Sequence, residues 1–266
     1  MKVYFIGGGN MALSILNGLK DKNFIMADIS IAEVDSKKRN EISELYKIKV
    51  SEKLLSIDSE SVVILAVKPD QLSIVCSEIK ELIKDQLIIS IAAGTRIKEI
   101  SKFLGSYNNV IRAMPNLCAS IKKSVTPYFT NNPLSNSQVG MIENILGSTG
   151  ICFSVDTEEK LDAVTALSGS GPAYIFYIIK SLINAGENLG LSREESQKLI
   201  QHTVVGAELF SRGLSDDGLE SLITKVSSKG GTTEQAINVF KNRRINEIIE
   251  EAVTAAHKRS KEIGGD

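Results

Sequence analysis

Short apolar runs alternate with amphipathic stretches through the first half of this chain, and that alternation constrains the fold more than any other feature. The runs are Val3–Ile6, Ile29–Val34, Val62–Val67, Leu87–Ala92 and Val110–Met114. Between them lie helical patterns at Met11–Lys20, Ser36–Tyr46, Gln71–Ile83 and Ile97–Leu104. Such a sequence predicts a doubly wound parallel sheet with helices on both faces. Two further runs, Val125–Thr130 and Ile151–Val155, flank a helical pattern at Asn136–Leu146 and extend that sheet.

After about residue 160 the strand signal stops. Ser170-Gly171-Pro172 supplies an N-cap and a proline suited to a first helical turn, opening a long apolar helix through Ile175, Ile178, Ile179, Leu182 and Ile183. Ser192 and Glu195 have capping-box spacing for the next helix, which ends near Gly213. The expected architecture is α/β: a Rossmann-type, doubly wound dinucleotide-binding domain over residues 1–158, then an all-helical domain over residues 159–266. From Pro172 to Ile183 the helix is apolar around most of its circumference, more than a small bundle buries, so a dimer built on the helical domain is expected.

The 266 residues are enough for a large core, and the formal charge of −1 argues against nucleic acid as a main partner. Cys76, Cys118 and Cys152 lack metal-ligand spacing and read as reduced thiols of a cytoplasmic protein. With only His202 and His257 present, neither a histidine-centred metal site nor a triad is expected. The N-terminal run reaches glycine too soon for a signal peptide, and no apolar run approaches membrane-spanning length.

Gly7-Gly8-Gly9-Asn10-Met11-Ala12 follows the first strand and opens a helix, which turns a weak G-x-G-x-x-A match into a strong one. Gly7 serves the tight turn, Gly9 the approach of a phosphate, and Ala12 the packing of helix on strand. Ile6 through Met11 are therefore assigned to a nicotinamide cofactor, NADH or NADPH. Glu33 lies 26 residues beyond Gly7, where a carboxylate bonds the ribose hydroxyls of NAD. Lys37, Lys38 and Arg39 follow and could hold a 2′-phosphate, so this region leaves the choice open. Later strands end in Ala66-Val67-Lys68-Pro69, Ala92-Ala93-Gly94 and Met114-Pro115-Asn116. Parallel sheets bind ligands outside such carboxyl ends, so small residues there suit a flat cofactor, while Lys68 and Asn116 offer polar contacts.

The last distinctive stretch is Ser227-Ser228-Lys229-Gly230-Gly231-Thr232-Thr233, which runs into a helix. Taken alone it reads as a helix cap after a glycine turn. Thr232 or Thr233 supplies the cap, and Thr232 with Gln235 fits a capping box. The same geometry seats a small anion, because free N–H groups and the helix dipole favour negative charge.

Together these motifs resemble pyrroline-5-carboxylate reductase. The likeness rests on Phe5–Ala12, Ala66–Pro69, Ser90–Gly94, Arg112–Asn116, Ser168–Tyr174 and Gly230–Thr233, which occur in the family's order over nearly the whole chain. The combination of the last two is the most specific. Lys229 departs from the family, which usually has proline there. The resemblance implies a helical second domain that pairs with its copy in a homodimer, and an active site between the Rossmann and helical domains. It also implies hydride transfer from NAD(P)H to the C=N carbon of Δ1-pyrroline-5-carboxylate, giving L-proline. By the same carry-over, Thr233 bonds the ring nitrogen and is the catalytic candidate. Ser228, Gly231 and Thr232 hold the substrate carboxylate, and Gly230 is a further substrate-binding residue.

Two other readings compete, of which the first shares the domain order. A β-hydroxyacid-type dehydrogenase needs a catalytic lysine on the long helix, where Lys180 is the one available and reads as solvated. A nucleotide-sensing protein without turnover has no use for the anion loop.

Overall fold

The computed structural model describes residues 1–264. In chain order its strands are β1 (Val3–Ile6), β2 (Ile29–Ala32), β3 (Lys49–Ser51), β4 (Val62–Leu65), β5 (Leu87–Ser90), β6 (Val110–Ala113), β7 (Ser124–Thr130) and β8 (Gly150–Ser154). Its helices are α1 (Asn10–Asp21), α2 (Ser36–Tyr46), α3 (Leu72–Ile79), α4 (Ile97–Phe103), α5 (Asn136–Leu146) and α6 (Lys160–Val164). The remaining helices are α7 (Gly171–Asn188), α8 (Arg193–Ser211), α9 (Asp216–Val226), α10 (Thr232–Asn242) and α11 (Ile245–Ile263). The chain divides into two compact units, one of residues 1–172 with the chain from Ala256 onward, the other of residues 173–255.

In the first unit the strands lie in the order β3-β2-β1-β4-β5-β6-β7-β8. Pairing is parallel from β3 to β6, antiparallel between β6 and β7, and parallel again between β7 and β8. The five runs expected to form a parallel sheet do so, and the two further runs extend it as a mixed sheet, with β7 antiparallel to β6. Only a short turn of 3₁₀ helix, Leu117–Ile121, joins β6 to β7, too little chain for a parallel crossover. β3 was not expected from the sequence, since three residues hold too little alternation to register as a strand. β2, β4, β5, β6 and β8 stop one or two residues before their apolar runs do, because the ladder ends as the chain turns toward its helices, whereas β1 and β7 end with theirs.

Both sheet faces are covered, and period-two alternation divides one apolar run between two cores. Val3, Phe5, Ile64, Ile89 and Ile111 join a cluster with Leu16, Ile42 and Ile145. Tyr4, Ile6, Val63, Leu65, Ile88 and Val110 join another with Leu72, Cys76 and Ile100. Burial pushes the Cys76 thiol up to about 12, which leaves it inert at neutral pH.

Helical structure reaches Ser170 from upstream. A π-helical turn, Thr165–Gly169, links α6 to α7, and Ser170 is itself helical with φ −85° and ψ −20°. Its N–H donates to Thr165 O at 2.9 Å, so it does not form the expected extended N-cap. The expected capping box of α8 is present: Ser192 Oγ accepts from the Glu195 N–H, and the Glu195 carboxylate accepts from the Ser192 N–H at 2.8 Å.

The second unit has little interior of its own. Between residues 173 and 255, Ile183 is the one buried apolar side chain. Tyr177, Phe210 and Leu189 are 74%, 69% and 85% exposed, and Ile175, Phe176, Val226, Val239 and Ile248 are also exposed. Exposed apolar area on this scale marks an interaction surface. Among the described residues no helix is long and apolar enough to cross a membrane.

Candidate active site

The glycine loop lies where β1 gives way to α1. Gly7 has φ +97°, and a Cβ there would come within 2.7 Å of Ala66 O, so this turn requires glycine. Gly9, the N-cap of α1, has no atom nearer than 4.0 Å to its notional Cβ and faces open space. Leu13 N–H is the first to bond within α1, to Gly9 O, so the N–H groups of Asn10, Met11 and Ala12 have no partner inside the helix. No acidic side chain stands in that first turn. Positive dipole, open N–H groups and missing side chains together suit a pyrophosphate.

A cleft of about 510 Å³ opens beside this loop. It gathers Ile6, Gly7, Gly9, Glu33, Ala66, Val67 and Lys68, all expected from the sequence. Leu54 and Lys53, from the loop after β3, and Gln71, Ile74 and Val75 complete its walls. Lys53 and Leu54 were missed because β3, which carries them into place, was itself missed; Gln71, Ile74 and Val75 lie on the turn and helix after β4, which were expected as a helix but not as part of a cleft wall.

Other expected cofactor residues lie elsewhere in the first unit. Gly8 and Asn10 line a separate groove with Ile42 and Tyr46, and Gly8 is buried. Met11 is half-buried against the sheet core, and Pro69 opens the 3₁₀ turn before α3. Ala92 is buried and Ala93 half-buried just beyond β5. Gly94 has φ +79°, and a Cβ there would collide with Ile263 Cγ2, so the end of α11 packs on this turn. Asn116 spends its amide inside the protein: Nδ2 donates to Ser168 O at 3.2 Å and Oγ at 3.1 Å, while Oδ1 accepts from the Cys118 N–H. It thereby ties the end of β6 to the π-helical turn.

The end of β2 differs from expectation in detail. Glu33 Oε2 accepts from the Gly8 N–H and Oε1 from the Asp35 N–H, each at 2.9 Å. Arg39 Nη1 donates to Glu33 O and Val34 O at 2.8 and 2.7 Å. Asp35 caps α2 by accepting from the Lys37 and Lys38 N–H groups, which hold its carboxyl below the usual carboxylate range. Lys38 lines the cleft. Of the three basic residues it alone does so.

Beneath the motif Arg112-Ala113-Met114 sits a buried ion network. Arg112 Nη2 bonds Asp162 Oδ1 at 2.9 Å, Arg112 Nη1 lies 3.3 Å from Glu158 Oε1, and Arg96 Nη2 lies 3.1 Å from Asp162 Oδ2. Glu158 Oε1 also accepts from the Ile97 N–H, and Ser260 Oγ lies 3.5 Å from Asp162 Oδ1. Arg112 and Asp162 are 1% and 0% exposed. The network holds α6 and the last turns of α11 to the sheet.

In the second unit, the loop before α10 turns at Gly230, where φ is +76°. Its N-cap is Gly231 with extended backbone and no side-chain bond, so the cap expected from Thr232 or Thr233, and the box with Gln235, are not formed. The reason is position: both threonines are already in the helix. Gly230 N–H donates to Glu234 Oε2 at 2.8 Å and Gly231 N–H to Ser228 O at 2.9 Å, so these two donors are committed. Gln235 N–H bonds Gly231 O, leaving the N–H groups of Thr232, Thr233 and Glu234 without partners in the helix. Among the described residues no group of His, Cys, Asp and Glu is placed to hold a metal ion.

A pyrroline-5-carboxylate reductase from Pseudomonas aeruginosa is 36% identical over 264 residues, covering 98% of this chain and 96% of the relative. The chain belongs to the pyrroline-5-carboxylate reductase family. A second member of that family, from Haemophilus influenzae, is 32% identical with 98% and 97% coverage. The solved pyrroline-5-carboxylate reductase of Coxiella burnetii superposes with a TM-score of 0.89 at 36% identity, covering 98% of both chains. That of Plasmodium falciparum, described with NADP bound, gives 0.87 at 28% identity, covering 99% and 98%. The family model described as pyrroline-5-carboxylate reductase dimerisation matches residues 158–263, and one described as NADP oxidoreductase, coenzyme F420-dependent, matches residues 2–94. This reductase family therefore accounts for both the mixed sheet and the helical unit.

Proposed function

We propose that this chain reduces the C=N bond of Δ1-pyrroline-5-carboxylate with NADH or NADPH to give L-proline, the last step of proline synthesis. The observation that carries the reading is family membership over the full length, at 36% identity to the Pseudomonas aeruginosa reductase. The first unit supplies the cofactor seat, with Ile6 to Met11, Ala66 to Pro69, Ala92 to Gly94 and Asn116 around it. The open N–H groups at α1 and the emptiness beside Gly9 support that assignment. When bound, the reduced nicotinamide supplies hydride to the imine carbon.

The second unit supplies the substrate contacts. Ser228 and Thr232 hold the carboxylate through hydroxyls and the open N–H groups of α10, while Gly230 and Gly231 shape the loop. Thr233 bonds the ring nitrogen. A cyclic imine is readily protonated, and the iminium accepts hydride without a strong protein acid, so positioning and electrostatics carry the rate.

The test is loss of nicotinamide absorbance when pyrroline-5-carboxylate is added to the purified protein with either cofactor. Turnover with a hydroxyacid instead would favour the β-hydroxyacid dehydrogenase, and cofactor binding without turnover the sensor.

The working form is a homo-oligomer joined through the helical domain, residues 159–266, and it acts in the cytoplasm. The scant interior of residues 173–255 supports this, because a unit with so little buried apolar area depends on a second copy for stability. Sedimentation at assay concentration is expected to show dimers or larger species; a fully active monomer would overturn the assembly.

A further inference from the structure

We propose that Glu33 is a positioning residue that braces the glycine loop, acting on the cofactor through Gly8 and not by reading the ribose hydroxyls. The inference rests on the cofactor seat proposed above. Both carboxylate oxygens are turned onto backbone: Oε2 to the Gly8 N–H and Oε1 to the Asp35 N–H, at 2.9 Å each. Glu33 is 9% exposed, and Gly8 is buried above it. A Cβ on Gly8 would meet Ile42 Cδ1 at 2.6 Å and Glu33 Oε2 at 3.1 Å, so loop, carboxylate and α2 are in close contact.

The end of β2 is itself held. Arg39 Nη1 bridges Glu33 O and Val34 O, and Gly7 N–H donates to Ala32 O at 2.8 Å. Two successive loop N–H groups, those of Gly7 and Gly8, are thus tied to β2. Phosphate oxygens are left the open donors that follow, on Asn10 and Met11. The brace sets where those donors point. Removing the carboxylate leaves the Gly8 and Asp35 N–H groups unpaired and frees the loop, which weakens every ligand that carries the pyrophosphate, whichever ribose substituent it has.

A ribose-reading carboxylate makes a different prediction, since its loss costs NADH two hydroxyl bonds and relieves NADPH of a repulsion. The experiment titrates NADH, NADPH and adenosine into the purified protein and its Glu33→Ser and Glu33→Gln variants, with thermal melting to establish that each is folded. In Glu33→Ser, affinity for both dinucleotides is expected to fall together, each by roughly 10- to 100-fold for two charge-assisted bonds, with adenosine unaffected. Glu33→Gln, whose Oε1 still accepts one N–H, is expected to lose less. Weaker NADH with tighter NADPH, or unchanged affinity for both, would overturn the brace. A wild-type protein that binds neither dinucleotide would remove the cofactor seat itself, and the brace with it.

Discussion

Thr233→Ala is expected to lower kcat by roughly 10- to 1000-fold, the usual cost of one transition-state hydrogen bond, with cofactor affinity nearly unchanged. Thr233 occupies the second position of α10, directly after the Gly230–Gly231 turn. Among the described residues its hydroxyl has no protein partner, and its N–H is one of the open donors of that helix end. A group held there by regular helix geometry, beside a positive dipole end, is positioned before substrate arrives. In the proposed role its bond to the ring nitrogen would strengthen as hydride arrives and that atom regains its lone pair, so the loss is expected to fall on turnover more than on binding. Thr233→Ser keeps the hydroxyl and is expected to recover most of the activity. Steady-state kinetics with pyrroline-5-carboxylate, together with direct cofactor titration, separates the terms. Wild-type turnover in a folded Thr233→Ala protein would take Thr233 out of its assigned role.

Asp162→Ala is expected to destabilise the protein by about 3–5 kcal/mol, because it leaves Arg112 and Arg96 facing a buried site without their shared counter-charge. Asp162 is 0% exposed and meets both guanidinium groups, at 2.9 and 3.1 Å. The cost is large against a typical total stability of about 5–15 kcal/mol, and it corresponds to a melting shift on the order of 10 °C. Glu158 partly compensates Arg112 at 3.3 Å, which places Glu158→Gln well below Asp162→Ala in effect. Replacing Arg112 and Asp162 together by apolar residues of similar volume is expected to recover much of the loss, since no unpaired charge is then left in the interior. Thermal unfolding of the three variants provides the measurement; an Asp162→Ala protein that melts with the wild type would show the pair contributes nothing net.

The structure also changes how Lys229 reads. The family usually has proline there, which stiffens the backbone before the two glycines. In this chain Gly230 is held by the Glu234 carboxylate across the first turn of α10, at 2.8 Å. A hydrogen bond thus restrains this turn where the chain has no proline.

The α/β layout, the glycine loop and the helical second half were legible because each depends on local period or local backbone chemistry. Alternation by two and by 3.6 residues placed β1, α2 and α5, and Gly7 announced a turn that no side chain tolerates. Capping was legible where the motif stands at a true helix start, as at Ser192, and misread at Ser170 and Thr232, where helix or cap begins earlier in the chain. Partners distant in sequence were not legible. Nothing in the order of residues says that Glu33 will turn to Gly8, that Asn116 will hold Ser168, or that Arg112 will meet Asp162 across 50 positions. Those pairings depend on which side chains the sheet order brings together in a dry interior, where every charge and amide must find a partner. Local sequence determined the elements of this protein; the tertiary structure alone decided which of its polar groups remain free to meet a ligand.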